Sequence, residues 1–201
     1  MKTIGLAAAM AIVFTAATSA LALDINPLSL LKGAVEAVVE DRSAADIGKD
    51  AEIKTKITAN VIDKMASDVI SINADVYEQD VMLTGSVETI KQRIQAGELA
   101  RSVEDVKRVY NDILVQRDID KQKGAVENFV DDTVIEGKAN ALLLDANGVN
   151  VTNFRWRSVG GHVFLFGRAL SPAELNKAVK VVRGIKGVSR ITNRVKIRPK
   201  S

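Results

Sequence analysis

Apolar and polar positions follow two rhythms along this chain, and the order of those rhythms occurs twice. Between residues 49 and 65, Ile53, Ile57, Val61 and Met65 stand four apart, which is the spacing of one face of an amphipathic helix. Residues 70–77 and 80–87 are instead rich in β-branched side chains, and only the polar step Glu78-Gln79 separates them, so they predict a hairpin. A second helix is expected over 88–102 with Ile90, Ile94 and Leu99 turned inward, and a last strand over 109–115. The same order returns downstream: a helix over 132–144, strands over 149–159 and 162–168, a helix over 172–183 and a strand over 190–197. Ser171, Pro172 and Glu174 supply an N-cap, a first helical residue and a capping-box partner for the later helix.

A shift of 82 residues superimposes the two halves without a gap. Val81-Met82-Leu83-Thr84-Gly85 falls on Val163-Phe164-Leu165-Phe166-Gly167, Arg101 on Arg183, Val106 on Val188 and Asn111 on Asn193. Upstream, Ile53 falls on Ile135 and Lys56 on Lys138, so the repeat spans a whole folding unit. The predicted fold class is therefore α+β: two small αββαβ domains, each a three-stranded mixed sheet packed by two helices. The boundaries expected are 46–116 and 126–199 with a linker over 117–125. Units of about 70 residues bury only modest cores and gain stability from a neighbour.

Residues ahead of the repeat carry two further signals. Lys2, the apolar run from Ile4 to Ala17 and the small residues Ala20 and Ala22 read as an export signal over 1–22, cut after Ala22. The run is shorter than the ~20 residues of a bilayer span. Within 23–45, Leu28, Leu31, Val35, Val38 and Val39 form one helical stripe, and Lys32, Glu36 and Glu40 are left to face water. That helix is expected to pack on a domain or a dimer interface; the other reading is a membrane-surface helix.

The spacing apolar-x-Leu-x-Gly, then a helix, then Gly-Val-x-x-apolar-x-Asn-x-apolar-x-apolar resembles the BON domain, a bacterial family named for osmotically inducible and nodulation proteins. The second unit carries it in full as Val163, Leu165, Gly167, Gly187, Val188, Ile191, Asn193, Val195 and Ile197. The first keeps Gly85 and Asn111 but has Asp105 where the family glycine precedes Val106. Gly85, Asn111, Gly167, Gly187, Val188 and Asn193 are read as fold determinants, because glycine permits a turn or close approach and asparagine bonds nearby backbone. The resemblance implies binding rather than catalysis: a periplasmic protein that contacts anionic phospholipid and supports envelope integrity under stress. The alternative it leaves is an envelope stress protein that binds other envelope proteins or assembles with itself.

Composition narrows the rest. Twenty-eight basic against 25 acidic residues give a formal charge of +3, and aromatics make up 4%, neither of which marks a nucleic-acid binder. The absence of cysteine removes disulfides, thiolate metal sites and N-terminal lipid modification, so membrane contact would be reversible. His162 is the single histidine and is expected as an exposed turn residue, Asp131 and Asp132 as a helix start, and Gly160-Gly161 as a hairpin turn. No cofactor, metal or catalytic set is implied. Two candidate lipid contacts remain in the second unit. One is Phe129, Val134 and Lys138 around its first helix, with Ile135, Ala139 and Leu142 turned to the sheet; the other is Trp156 between Arg155 and Arg157.

Overall fold

The computed structural model describes residues 40–65, 71–116 and 131–198. The export signal, Phe129, the linker and the 27–39 part of the N-terminal helix lie outside them. In the first unit α1 (Ala44–Met65) leads into the hairpin β1 (Ser71–Tyr77) and β2 (Asp80–Val87), then α2 (Ile90–Arg101), β3 (Arg108–Asn111) and β4 (Leu114–Val115). In the second, α3 (Asp132–Asp145) is followed by β5 (Phe154–Val159), β6 (His162–Ala169), α4 (Pro172–Arg183) and β7 (Arg190–Ile197). Both hairpins are antiparallel, and β3, β4 and β7 run parallel to the second hairpin strand of their own unit. The α+β duplication stands. The strand expected over 109–115 breaks at Asp112-Ile113, and that expected from 149 begins at Phe154 after a 3-10 turn, Val151–Asn153.

Equivalent residues do equivalent work in the two units. Both turn residues of each hairpin have positive φ, 54° and 63° at Glu78 and Gln79, 61° and 78° at Gly160 and Gly161, as a two-residue type I′ connection requires. Their amides donate to one carboxylate from the first helix: Glu78 and Gln79 to Asp50, both at 2.8 Å, and Gly160 and Gly161 to Asp132 at 2.6 and 2.9 Å. Asp132 thus fastens a turn, while Asp131 caps the helix by accepting from the Thr133 amide at 2.7 Å. Gly85 and Gly167 have φ of 107° and 110°, and a Cβ there would lie 1.6 Å from the Ser71 carbonyl oxygen and 2.1 Å from that of Asn153. Asp105 takes the φ of +68° that corresponds to +97° at Gly187, so the family turn survives in strained form. Glu174 reaches the Leu170 amide rather than that of Ser171, and also that of Asn150, both at 2.6 Å; this second bond ties the 3-10 segment to α4.

Helix faces depart from expectation at three places. In α2 the inward residues are Ala96, Gly97 and Ala100, with Leu99 half-buried, whereas Ile90 and Ile94 are exposed. A step of two along a helix turns a side chain by about 200°, which puts Ile94 opposite Ala96. Small residues let α2 approach closely enough for the Asn111 side-chain amide to donate to the Arg93 carbonyl at 2.7 Å. In α3 the buried stripe is Ile135, Ala139 and Leu143, a strict four-residue repeat that leaves Leu142 46% exposed. Glu40 does not face water: its carboxylate is buried against Arg42 and Arg155.

The units stack sheet against sheet, making four layers: helices, sheet, sheet, helices. Alternation along the strands divides the work. Ala74, Val76, Val81 and Leu83 face α1 and α2, and Phe154, Trp156, Val163 and Leu165 face α3 and α4. The intervening Tyr77, Met82, Phe164 and Phe166 meet one another in a separate apolar centre, with Tyr110, Leu114 and Val159 at its edge. Ion pairs surround it: Asp75 with Arg157 at 2.9 Å, Asp112 with Arg194 at 2.8 Å, Glu78 with Arg168 and Asp80 with Lys196 at 2.5 Å.

His162 belongs to this seam and is not an exposed turn residue. Its ring is 4% exposed, stacks on Phe164 at 4.1 Å and lies 2.8 Å from the Thr192 hydroxyl. Burial, helped by Arg190, pushes its pKa down from 6.5 to about 4, with Asp112 opposing. Because the unfolded chain takes up this proton first, stability is full above pH 6.5 and is lost as pH falls toward 4, by on the order of 3 kcal/mol. Replacing His162 with Gln should flatten the thermal midpoint between those pH values, as followed by circular dichroism. Gly85→Ala and Gly167→Ala should each cost about 3 kcal/mol or more by calorimetry, through the carbonyl clash and the positive φ. Asp105→Gly should raise stability by roughly 0.5–1 kcal/mol, since it relieves the left-handed conformation and gives up only an exposed pair with Lys49.

Candidate functional site

The outer face of the second unit carries both apolar and basic groups. Burying Ile135, Ala139 and Leu143 turns Val134, Lys138, Leu142 and Leu144 outward; the three apolar residues are 45%, 46% and 61% exposed. Next to α3 runs α4, which buries Ala178 and Val182 and thereby exposes Lys177, Lys180 and Arg183, followed in the next turn by Lys186. Lys177 donates to the carbonyl of Asn147 just beyond the end of α3, which brings the start of the basic row to that end of the helix. Among the described residues Lys138, Lys180, Arg183 and Lys186 have no carboxylate partner, and the exposed acids of these two helices are Asp131 at the cap and Asp145. The corresponding layer of the first unit is mixed: α1 exposes Lys49, Lys54 and Lys56 among Asp46, Glu52 and Asp63, and α2 sets exposed Ile90 and Ile94 beside Lys91, Arg93, Arg101 and Glu98. Long basic side chains beside apolar ones can lay their stems on a membrane surface and hold the charge at headgroup level.

Of the lipid candidates read from the sequence, Val134 and Lys138 share this face. Trp156, Arg155 and Arg157 do not, and the second patch is replaced for a packing reason. Strand alternation sends the indole inward, where it is 4% exposed and donates from Nε1 to the Glu136 carbonyl at 3.3 Å. The arginines project from the opposite sheet face into the seam. Arg157 pairs there with Asp75, and Arg155 with Glu40, over the ring of Tyr77 at 5.6 Å. Burial raises the Asp75 pKa, and Arg157, Lys54 and Arg155 more than offset it, so the carboxyl sits below its ordinary range and stays charged. Tyr77 is pushed up to about 12 by burial, against the pull of Arg42. Glu136 shifts upward because it is buried, although the Ser158 amide donates to it at 2.8 Å.

Lys177, Lys180, Arg183, Lys186 and Leu144 are surface residues with no place in the sequence reading, and Leu142, expected to face the sheet, joins them on the surface. A spacing of three between Lys177, Lys180, Arg183 and Lys186 was the available signal: it is one face of a helix and its continuation. The family positions make local contacts in both units. Gly85, Gly167 and Gly187 hold positive φ, Val188 packs on the second core, Asn111 ties β3 to α2, and Asn193 accepts from the Val195 amide at 2.9 Å.

A polar cleft of about 370 Å³ opens at one end of the seam, lined by Asp41, Arg42, Glu78, Lys107, Arg168 and Lys196 among others. Its cations are engaged: Arg168 with Glu78 and Asp41, Lys196 with Asp80, Arg42 with Glu40 and Asp50, and Lys107 with the Glu78 carbonyl. Among the described residues no group of three or more His, Cys, Asp or Glu is placed to hold a metal ion, and no helix is long and apolar enough to cross a membrane.

Comparison with known proteins agrees with this geometry. The chain is 28% identical over 167 residues to the 21 kDa hemolysin of Actinobacillus pleuropneumoniae, covering 83% of this chain and 76% of that one. It is 28% identical over 149 residues to osmotically-inducible protein Y of Escherichia coli (strain K12), covering 73% and 72%. A protein of Anaplasma centrale known from a gshII 5' region is 31% identical over 128 residues, 64% of this chain and 82% of its own length. The BON domain matches twice, over residues 49–117 and 131–199, the same two stretches that fold as αββαβ units here; the chain belongs to the BON domain family and carries two copies of that domain.

Proposed function

We propose that this chain is a non-enzymatic binding protein of the periplasm that contacts anionic phospholipid through the helical layer of its second domain, supporting the envelope under stress. The observation that carries the reading is the exposed flank Val134, Lys138 and Leu142 of α3, in the same helical layer as exposed Lys177, Lys180, Arg183 and Lys186. Each Lys or Arg held near an anionic surface contributes about 1 kcal/mol, and reversible attachment needs several such contacts together with some buried apolar area. The export signal read at 1–22 supports the location, and the likeness to a protein called osmotically inducible supports the stress role. The first domain, whose outer charges are mixed, would hold the second in place through the seam.

A second reading, binding to other envelope proteins, draws on Ile62, Ile90 and Ile94, which are 47%, 52% and 53% exposed on the helices of the first domain.

Co-sedimentation with vesicles separates the two. The mature protein should pellet with vesicles containing phosphatidylglycerol and remain in solution with phosphatidylcholine alone, and binding should weaken as salt is raised. Lys180→Glu with Arg183→Glu should weaken it by roughly tenfold or more at unchanged thermal midpoint. Absence of binding to both vesicle types, or equal binding to both, removes the lipid reading. Loss of a protein contact in Ile90→Ser and Ile94→Ser, with vesicle binding absent throughout, would favour the second.

A further inference from the structure

The seam between the domains joins residues that are equivalents of each other. Asp75 meets Arg157 and Asp112 meets Arg194, each pair 82 positions apart, which is the shift of the repeat. Met82 and Phe164, also 82 apart, share the apolar centre. In a two-fold arrangement only residues on the axis meet their own equivalents, so the pseudo-axis of this chain runs through these positions.

The charges there have one polarity. At both on-axis pairs the first domain supplies the acid and the second the base. Off the axis the same holds for Glu78 with Arg168 and Asp80 with Lys196, and the segment ahead of the first domain adds Glu40 with Arg155 and Asp41 with Arg168 and Arg198. Among the described residues every ion pair across the seam takes its carboxylate from the N-terminal side and its cation from the second domain. Two first-domain faces brought together in this geometry would set Asp75 against Asp75 and Asp112 against Asp112; two second-domain faces would oppose arginines.

We propose that the two sheet faces are a keyed pair, in which the acidic face of the first domain accepts the basic face of the second and each rejects its own kind. A buried ion pair roughly breaks even against an apolar pair of the same volume, whereas like charges brought together at an interface are strongly unfavourable. The charges therefore contribute discrimination, and the attraction itself comes from Tyr77, Met82, Phe164 and Phe166. The partner that fits each face is the other domain of the same chain, which its tether holds at high effective concentration.

Charge exchange in the full-length mature chain tests this. Asp112→Arg and Arg194→Asp, made singly, put like charges on the axis. Each should enlarge the radius of gyration by small-angle scattering and lower Tm by roughly 5–10 °C. The double exchange should restore the compact radius and most of Tm. In about 1 M NaCl, where the screening length is about 3 Å, each single variant should recover in part, which a packing defect would not do. Arg194 is 38% exposed, so these variants do not bury a lone charge completely. The Asp75 and Arg157 exchange is the second set, with smaller recovery because Lys54 lies 3.8 Å from Asp75. If the exchanged chain is as open as the single variants, or if the single variants stay compact at low salt, the polarity carries no specificity and the proposal fails.

Discussion

Contact between the two sheets is the constraint on which this molecule depends. Helices cover one side of each sheet, and without a neighbour the other side would expose Tyr77 and Met82 in one unit and Phe164 and Phe166 in the other. Units of this size bury too little apolar surface to leave a whole sheet face in water. Stacking the sheets resolves the difficulty for both at once, and it explains why β2 and β6 are buried along nearly their whole length on both sides. Strands that serve two cores read as continuous apolar runs, and they do so here although one of the cores lies between domains.

That arrangement also separates two populations among the cations of the second domain. Arg155, Arg157, Arg168, Arg194 and Lys196 point into the seam and meet carboxylates of the N-terminal side. Lys177, Lys180, Arg183 and Lys186 point the other way, from α4, toward solvent. A net charge of +3 averages over the two and reveals neither. The first population is neutralised within the structure and sets which faces meet; the second remains available to an outside anion, in the same helical layer as the exposed flank of α3.

Duplication was tolerated here because local devices were copied intact while the surfaces diverged. The carboxylate that fastens each hairpin, Asp50 or Asp132, and the glycine that lets the second strand pass under a carbonyl, Gly85 or Gly167, recur at the same place. Asp105 shows the tolerance of the scheme: aspartate replaces a left-handed glycine and the turn keeps its shape. Seam positions instead changed sign or character, Asp75 to Arg157, Asp112 to Arg194 and Asp80 to His162.

The sequence alone determined the duplication, the order of elements, the hairpin turns and the family, because each depends on local periodicity or on a residue with a special backbone role. Its pattern also named Val134 and Lys138 for the outer face, since helical spacing decides that within a single turn. Only the tertiary structure decided what covers the second face of each sheet. Alternation along a strand says that Trp156 and Arg157 point opposite ways, but not which side is core, which is solvent and which is another domain. Hence Arg155, Arg157 and His162 left the surface for the seam and Trp156 for the core of its own unit, whereas Leu142, expected to face the sheet, lies on the surface. Burial is a property of two surfaces brought together, and one strand's pattern specifies only its own.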